Sequence, residues 1–293
     1  RLPNRARPDE IIYNSVDGTP RLLIAIYEYV KYTGDTTIVK ELYPVIKKAI
    51  EGVEKYWIDE KGYLTHDDAD TWMDAKEKGI RPYSPRGNRA NDIQALWFNQ
   101  LKISAFFAHL MNDYNNFSKW DSMANNVKKH FLIDFIDDKY NYIADRITLD
   151  NNKDFKLRPN QLFALDLIDD EHKRLDIIKI VWSKITYPWG VASLYQLDEE
   201  FHPYHEYWHY YHKDEAYHNG TVWLWLNGIA MQKMIEYSQK EKAFTLFLNM
   251  MKQALFMDAV GSLPENLMHY HEKEKVGLIV VVLFFKHGQT QSI

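Results

Sequence analysis

The stretch TPRLLIAIYEYVKYTGD at residues 19–35 sets the pattern that decides the fold. Thr19 and Pro20 predict an N-cap and a first-turn proline, and the apolar residues that follow recur at the spacing of an amphipathic helix. Gly34 predicts the end of that helix, and Asp35 the cap of the next one. The same periodicity predicts further helices at about 92–112, 118–134, 159–167, 170–184, 218–237 and 240–257, so the fold class is all-α.

The amino-acid composition excludes several classes of function. The 293 residues include no cysteine, which excludes disulfides and cysteine-ligated zinc, and a net charge of −5 without a basic stripe argues against nucleic acid or a membrane surface as partner. The longest apolar run, at 278–285, is far shorter than the roughly 20 residues of a membrane span, and no signal peptide is visible, so a cytoplasmic location is expected. Aromatic residues make up 15% of the chain, which suits either a sugar-binding cleft or an aromatic helical core.

The segment HDDADTWMD at 66–74 concentrates four aspartates around one tryptophan. Its spacing does not fit a calcium-binding EF-hand, because Met73 stands at the sixth position counted from Asp68, where that loop needs glycine. Two interpretations remain: aspartates that cap a turn, or a proton donor beside Trp72.

Glycoside hydrolysis requires a second carboxylate, and GSLPEN at 261–266 offers one. Gly261 predicts the end of the preceding helix, and Pro264 stiffens the backbone before Glu265. An ordinary surface loop would explain the same residues.

Two further segments carry polar chemistry. In AYHNGTVWLWL at 216–226, a turn at Asn219 and Gly220 precedes a predicted helix, so that His218 and Asn219 are placed either to meet hydroxyl groups or simply to cap that helix. A second segment contains HExxH at 205–209, whose two histidines would bind zinc on one face of a helix, but the residues around it are aromatic on every side rather than amphipathic.

In their order along the chain, these segments resemble the C-terminal amylo-α-1,6-glucosidase domain of glycogen debranching enzymes. The resemblance covers most of the chain and rests on YNSVD (13–17), YTGD (32–35), DADTWMDAK (68–76), PRG (85–87), IQALWFN (93–99), RPNQLFAL (158–165), YHNGTVW (217–223) and GSLPEN (261–266).

The resemblance implies an (α/α)6 toroid of the six-hairpin glycosidase type, which hydrolyses α-1,6-linked glucose at the branch stubs of glycogen limit dextrin with inversion at the anomeric carbon. It also implies that Asp74 is the general acid and Glu265 the general base, and that no metal or cofactor is needed. The apolar neighbours of Asp74 would favour its protonated form, as an acid catalyst requires. The implied substrate-binding residues are the stacking candidates Trp72, Trp97 and Trp223 and the hydroxyl-binding candidates Asn14, Asp17, Arg86, Gln94, Asn160, Gln161, His218 and Asn219.

The chain also departs from the family pattern. It begins after the family's first helical pair, Leu224 replaces a usual proline, and Asp92 replaces a usual glutamate. Residues 1–270 are therefore expected to form a toroid that is incomplete at both ends, and 271–293 an aberrant tail. One choice of codons for the tail's FKHGQTQSI encodes QAWSNSIY in a shifted frame, close to the helix expected there, which suggests a frameshift. The sequence leaves open an inactive fragment, a non-catalytic glucan-binding module and a zinc metalloprotease.

Overall fold

A computed structural model describes residues 1–205, 209, 211–256 and 260–267, and the architecture of this part is predominantly helical. Its α-helices are α1 (Gly18–Thr33), α2 (Thr37–Tyr56), α3 (Asn91–Leu110), α4 (Tyr114–Asp134), α5 (Glu171–Ile180), α6 (Lys213–Tyr217), α7 (Leu226–Glu236) and α8 (Lys240–Phe256). A 3₁₀ helix spans Pro159–Leu167, and a π-helical turn spans Val181–Ile185. The predicted tail at 271–293 lies outside the described residues.

In the described part of the chain, short strands connect the helices and form four small antiparallel sheets. The strands are β1 (Arg5–Arg7), β2 (Glu10–Ile12), β3 (Lys76–Glu77), β4 (Arg81–Pro82), β5 (Arg89–Ala90), β6 (Arg146–Ile147), β7 (Lys153–Asp154), β8 (Thr186–Tyr187), β9 (Gly190–Ala192), β10 (Val222–Trp223) and β11 (Asn266–Leu267).

The hydrophobic core surrounds α3, which is buried along most of its length. Helix α3 contacts α1, α2, α4 and the 3₁₀ helix, and it contributes Trp97, Leu101 and Phe107 as fully buried side chains. A helix that is buried on nearly all sides lies at the centre of a bundle. Among the helices of the described ranges, none combines the length and the apolar character that a bilayer crossing demands.

Most helix predictions are confirmed, and three details are wrong. The predictions at 92–112, 159–167 and 240–257 match α3, the 3₁₀ helix and α8 to within two residues at each end. Helix α1 begins at Gly18 with Asp17 at its N-cap position, so Thr19 is not the cap. Thr36 holds the N-cap position of α2, while Asp35, one residue earlier, accepts from the amide of Thr37 at 2.8 Å. The predicted helix at 218–237 begins only at Leu226, because the residues before it pair in a sheet. Closure of the helices into a toroid stays a prediction.

That sheet, in the order β11-β10-β9-β8, brings distant parts of the chain together. Trp223 pairs with Val191 on one side and with Asn266 on the other. The pairing fixes the turn that carries Glu265, the residue directly before β11, beside the segment that ends in β10.

A buried histidine anchors the start of the aspartate-rich loop to β5. The Nε2 atom of His66 accepts a hydrogen bond from the amide of Ala90 at 3.1 Å, and its Nδ1 lies 2.9 Å from the carbonyl oxygen of Asp67. Accepting at Nε2 while donating at Nδ1 requires a neutral imidazole. Burial lowers the pKa of His66 to about 4.

This histidine is expected to make the free energy of unfolding depend on pH. An unfolded histidine titrates near pH 6.5, so below that pH the unfolded chain binds a proton that the folded chain excludes down to about pH 4. Stability from this group is therefore complete above pH 6.5, and about 2 kcal/mol of it is lost between pH 7 and pH 5. Urea denaturation of the wild type and of His66→Gln at both pH values measures the effect, and equal pH dependence in the two proteins would contradict it.

Candidate active site

An aromatic cluster forms the centre of the candidate site. The ring of Trp72 meets the rings of His218, Trp223 and Trp225 nearly at right angles, each at a centroid distance of 5.3 Å. The indole N–H of Trp72 donates to Oδ1 of Asn160 at 2.8 Å, and His218 stacks on Trp223 at 5.1 Å. These contacts hold the rings in fixed orientations. Trp72 is half-buried and Trp225 is 38% exposed, so their apolar faces are the ones that can meet a sugar.

The candidate acid and base belong to two segments beside this cluster. Asp74 is exposed and follows Met73, which is fully buried and whose Sδ lies 3.2 Å from Nη1 of Arg86. Glu265 is half-buried, and its Oε2 accepts a hydrogen bond from the hydroxyl of Tyr217. The buried side chain of Met73 therefore anchors the backbone next to Asp74, and a hydrogen bond from Tyr217 orients the side chain of Glu265.

The charges of both carboxylates raise the pKa of Tyr217. Burial raises its pKa most, the hydrogen bond and charge of Glu265 raise it further, and the charge of Asp74 adds to the effect. Its ring packs against His218 at 4.7 Å and Trp223 at 4.9 Å. The charges of Asp74 and Glu265 therefore both raise the pKa of the same phenol.

His218 is the most unusual polar group in the cluster. Its side chain is buried, and neither ring nitrogen has a hydrogen-bond partner among the residues that the structure describes. Burial, followed by the positive charges of Arg158 and Arg86, lowers its pKa well below the ordinary value. A neutral imidazole keeps one donor and one acceptor, which is the pair of functions that a sugar hydroxyl can match.

A buried ionic network underlies both sides of the site. Arg86 pairs with Asp92 at 2.8 Å and with Asp145 at 3.3 Å, and Asp145 also accepts a hydrogen bond from Asn160 at 2.8 Å. Arg158 lies 3.8 Å from Asp145 and donates to the carbonyl of His218 at 2.6 Å. The network therefore links the Trp72 loop, through Asn160, to the backbone of the His218 turn.

Breaking this network is expected to destabilise the protein strongly. Arg86→Met leaves Asp92 and Asp145 buried without their shared cation, which typically costs about 3–5 kcal/mol of unfolding free energy. Urea denaturation measures the loss. The control is Lys102→Met, which removes a 2.7 Å pair with Asp121 on the surface and should cost about 1 kcal/mol or less. Equal losses in the two variants would contradict the prediction.

The structure brings some predicted binding residues into the cluster. Trp72, Asn160, His218 and Trp223 contact one another there as described. Asn219 lies next to them, and its Oδ1 accepts from Arg158 at 2.7 Å and from Ser84 at 2.8 Å.

The structure gives the other predicted binding residues protein partners or places them elsewhere. Gln94 bonds through both ends of its amide to the backbone of Leu64, and the indole of Trp97 donates to the carbonyl of Gly62 at 3.2 Å. The remaining members are Arg86 in the ionic network, Gln161 donating to the Arg158 carbonyl, Asp17 paired with Arg21 at 2.9 Å, and the exposed Asn14.

Sequence reasoning missed four residues of the site: Tyr217, Trp225, Asp145 and Arg158. Tyr217 had a signal, since it begins the YHNGTVW segment already singled out. Asp145 has no recognisable motif, and its role depends on partners far away in sequence.

The HExxH segment does not form a zinc helix at its described positions. His205 is buried and packs against Tyr217 at 5.1 Å, whereas His209 is exposed, and neither lies in a helix. Glu206 lies outside the described residues. Within the described ranges, no group of three His, Cys, Asp or Glu side chains could hold a metal ion.

A predominantly helical scaffold that carries an aspartate and a glutamate on segments beside clustered tryptophans suits glycoside hydrolysis. The crystal structure of a GH78 family rhamnosidase from Bacillus sp. GL1 matches with a TM-score of 0.61 at 13% identity, over 86% of this chain and 23% of that one. A sialidase structure matches with a TM-score of 0.64 at 12% identity, over 80% of this chain and 22% of that one. These similarities show a shared fold. The matched part of this chain covers less than a quarter of the length of either structure.

The family follows from the sequence as a whole. The family model described as amylo-alpha-1,6-glucosidase matches residues 2–278, and the chain belongs to this family. The resemblance based on the ordered motifs is thereby confirmed. No curated protein sequence matches the chain.

Proposed function

We propose that the protein is an inverting glycoside hydrolase that releases glucose from the α-1,6 branch stubs of glycogen limit dextrin in the cytoplasm, with Asp74 as general acid and Glu265 as general base. The observation that supports it most is the hydrogen bond from the hydroxyl of Tyr217 to Glu265 beside the aromatic cluster, and the charge of Asp74 also raises the pKa of this tyrosine. Membership of the amylo-alpha-1,6-glucosidase family supports the substrate class. We further propose that the helices belong to an (α/α)6 toroid.

In the proposed reaction, the proton of Asp74 passes to the glycosidic oxygen as the bond from that oxygen to the anomeric carbon breaks. A water molecule attacks the anomeric carbon from the opposite face and gives its proton to Glu265. Tyr217 occupies Oε2 of Glu265, which leaves Oε1 to accept the proton of the water. Because the pKa of Tyr217 is raised, its hydroxyl keeps its proton and remains a donor.

The aromatic cluster would hold the glucosyl ring. The half-buried ring of Trp72 offers an apolar face, and the neutral His218 beside it has a donor and an acceptor that no described residue occupies. Oriented binding of this kind contributes to catalysis by fixing the reacting carbon between acid and base.

The direct test is hydrolysis of branched limit dextrin by the purified protein. Glucose release is expected, and proton NMR during the first minutes should show β-glucose forming before mutarotation, as inversion requires. Dextrin binding without glucose release would instead identify a glucan-binding module, and α-glucose as first product would overturn the inverting mechanism. Stoichiometric zinc in the purified protein would reopen the metalloprotease alternative.

A further inference from the structure

A polar cleft of about 920 Å³ lies along the β3–β4 hairpin, which begins two residues after the candidate acid, and has no part in the chemistry described so far. One wall is the β3–β4 hairpin, and the other is formed by His202 and the first turn of α6. Ligand sites in proteins usually measure about 300–1,000 Å³, so this cleft has room for several sugar rings rather than one.

The cleft adjoins the acid through the chain itself. Strand β3 begins at Lys76, two positions after Asp74, and the amide of Tyr83 closes the hairpin by donating to the carbonyl of Ala75 at 3.0 Å. Asn219, which also lines the cleft, is the neighbour of His218 in the aromatic cluster. The cleft therefore leads from the acid loop along the hairpin.

Tyr83 stands between the two walls. Its ring stacks on His212 at a centroid distance of 6.1 Å and an interplanar angle of 13°. Burial raises its pKa, and so do the charges of Glu77 on the hairpin and of Glu215 and Asp214 on α6. Carboxylates from both sides thus surround one phenol, which offers a flat ring and a hydroxyl to a ligand.

The inner end of the cleft is preformed. The side-chain amide of Asn219 donates to the carbonyl of Tyr83 at 3.1 Å, which ties the two walls together. Gly220 has a φ of +150°, and a Cβ there would lie 2.3 Å from the carbonyl oxygen of His202, so only glycine allows this approach. A rigid cleft binds an extended ligand with less loss of conformational entropy.

The chemistry of the walls selects a neutral polyol. Lysine and arginine side chains on the hairpin face glutamate and aspartate side chains on both walls, so the cleft lacks the single sign of charge that would attract a phosphate or a nucleic acid. Mixed donors and acceptors with an aromatic ring suit the hydroxyls and faces of sugars.

The side on which the leaving oxygen is protonated indicates which part of the substrate lies in the cleft. A general acid protonates the oxygen that leaves with the departing chain, so that chain must extend on the side of the acid. We propose that the cleft between the β3–β4 hairpin and α6 binds the α-1,4-linked glucan chain that leaves when the branch glucose is removed. This inference rests on the proposed function, with Asp74 as the acid.

The test compares two substrates that differ only on the departing side. Branched limit dextrin leaves as a long chain, whereas α-glucosyl fluoride leaves as a fluoride ion that cannot reach the cleft. In Tyr83→Ala and Arg81→Ala, the ratio of kcat/KM for dextrin to kcat/KM for the fluoride is expected to fall about tenfold, mainly through KM, which corresponds to about 1.4 kcal/mol of lost binding. Arg81 is exposed, so its replacement does not disturb folding.

The same variants should weaken inhibition of dextrin hydrolysis by linear maltoheptaose, which mimics the departing chain, by a similar factor. Tyr32→Ala, at an 83% exposed tyrosine near the end of α1, is the control and should leave the ratio and the inhibition unchanged. An unchanged ratio in both cleft variants overturns the inference while the proposed function stands. A wild type that hydrolyses neither substrate overturns the proposed function itself.

Discussion

Glu265→Gln is expected to lower kcat for glucose release from branched limit dextrin by roughly 10²–10⁴-fold, the usual contribution of one general acid or base. The amide keeps the size of the side chain but cannot accept the proton of the attacking water. Asp74→Asn should cause a loss of the same order on dextrin, because an amide cannot supply a proton to the glycosidic oxygen. Steady-state assays with circular dichroism of each variant separate catalysis from folding.

The two variants should differ on α-glucosyl fluoride. Fluoride departs without protonation, so Asp74→Asn is expected to keep most of its activity on this substrate, whereas Glu265→Gln still lacks the base and loses it. The opposite pattern would exchange the two roles. Wild-type activity of Glu265→Gln on dextrin would contradict the assignment of the base altogether.

Tyr217→Phe is the second variant for which we expect a large loss of activity. The variant removes the hydroxyl that donates to Glu265 and keeps the ring that packs against His218 and Trp223. A hydrogen bond to a charged group contributes about 1.5–3 kcal/mol, so kcat is expected to fall roughly ten- to a hundredfold. Since the base acts on every substrate, dextrin and α-glucosyl fluoride should lose activity equally, with KM nearly unchanged.

The matched control for this change is Tyr63→Phe. Tyr63 is also buried and also donates its hydroxyl to a carboxylate, that of Asp134 at 2.9 Å, but it lies in the core beside α4. Its replacement should reduce stability without a selective fall in kcat. A Tyr217→Phe variant that only loses stability, as the control does, would show that the bond to Glu265 is structural.

The sequence predicted the helical core well because the signals there are local. The apolar periodicity of 92–112 corresponds to α3, whose buried faces need no information from distant residues. Likewise Gly34, with a φ of +72°, ends α1 as glycine's conformational freedom predicts.

Prediction failed where pairing partners are distant. The tryptophans after Gly220 suggest a helix, yet Val222 and Trp223 form β10 because strands from residues 190–192 and 266–267 lie on either side. Arg86 and Gln94, which the motifs predict at the substrate, have partners inside the protein, and their role in binding stays a prediction. Burial of a polar side chain is decided by tertiary contacts, and a motif does not reveal it.

The positions of Asp74 and Glu265 also differ in how far they depend on residues distant in sequence. Asp74 lies in a loop anchored by nearby residues such as Met73, whereas Glu265 depends on β11 pairing with β10. The short motif around Glu265 identifies a stiff turn, but its place beside Tyr217 follows from that strand pairing.

The β10–β11 pairing also has a consequence for synthesis on the ribosome. A polypeptide emerges from its N-terminus, so Asp74, the aromatic cluster and Tyr217 all leave the exit tunnel before the strand that delivers Glu265. A growing chain can therefore assemble the aromatic cluster while Glu265 is still untranslated. In the proposed reaction, a translation stop before residue 265 would leave the proposed acid without the proposed base.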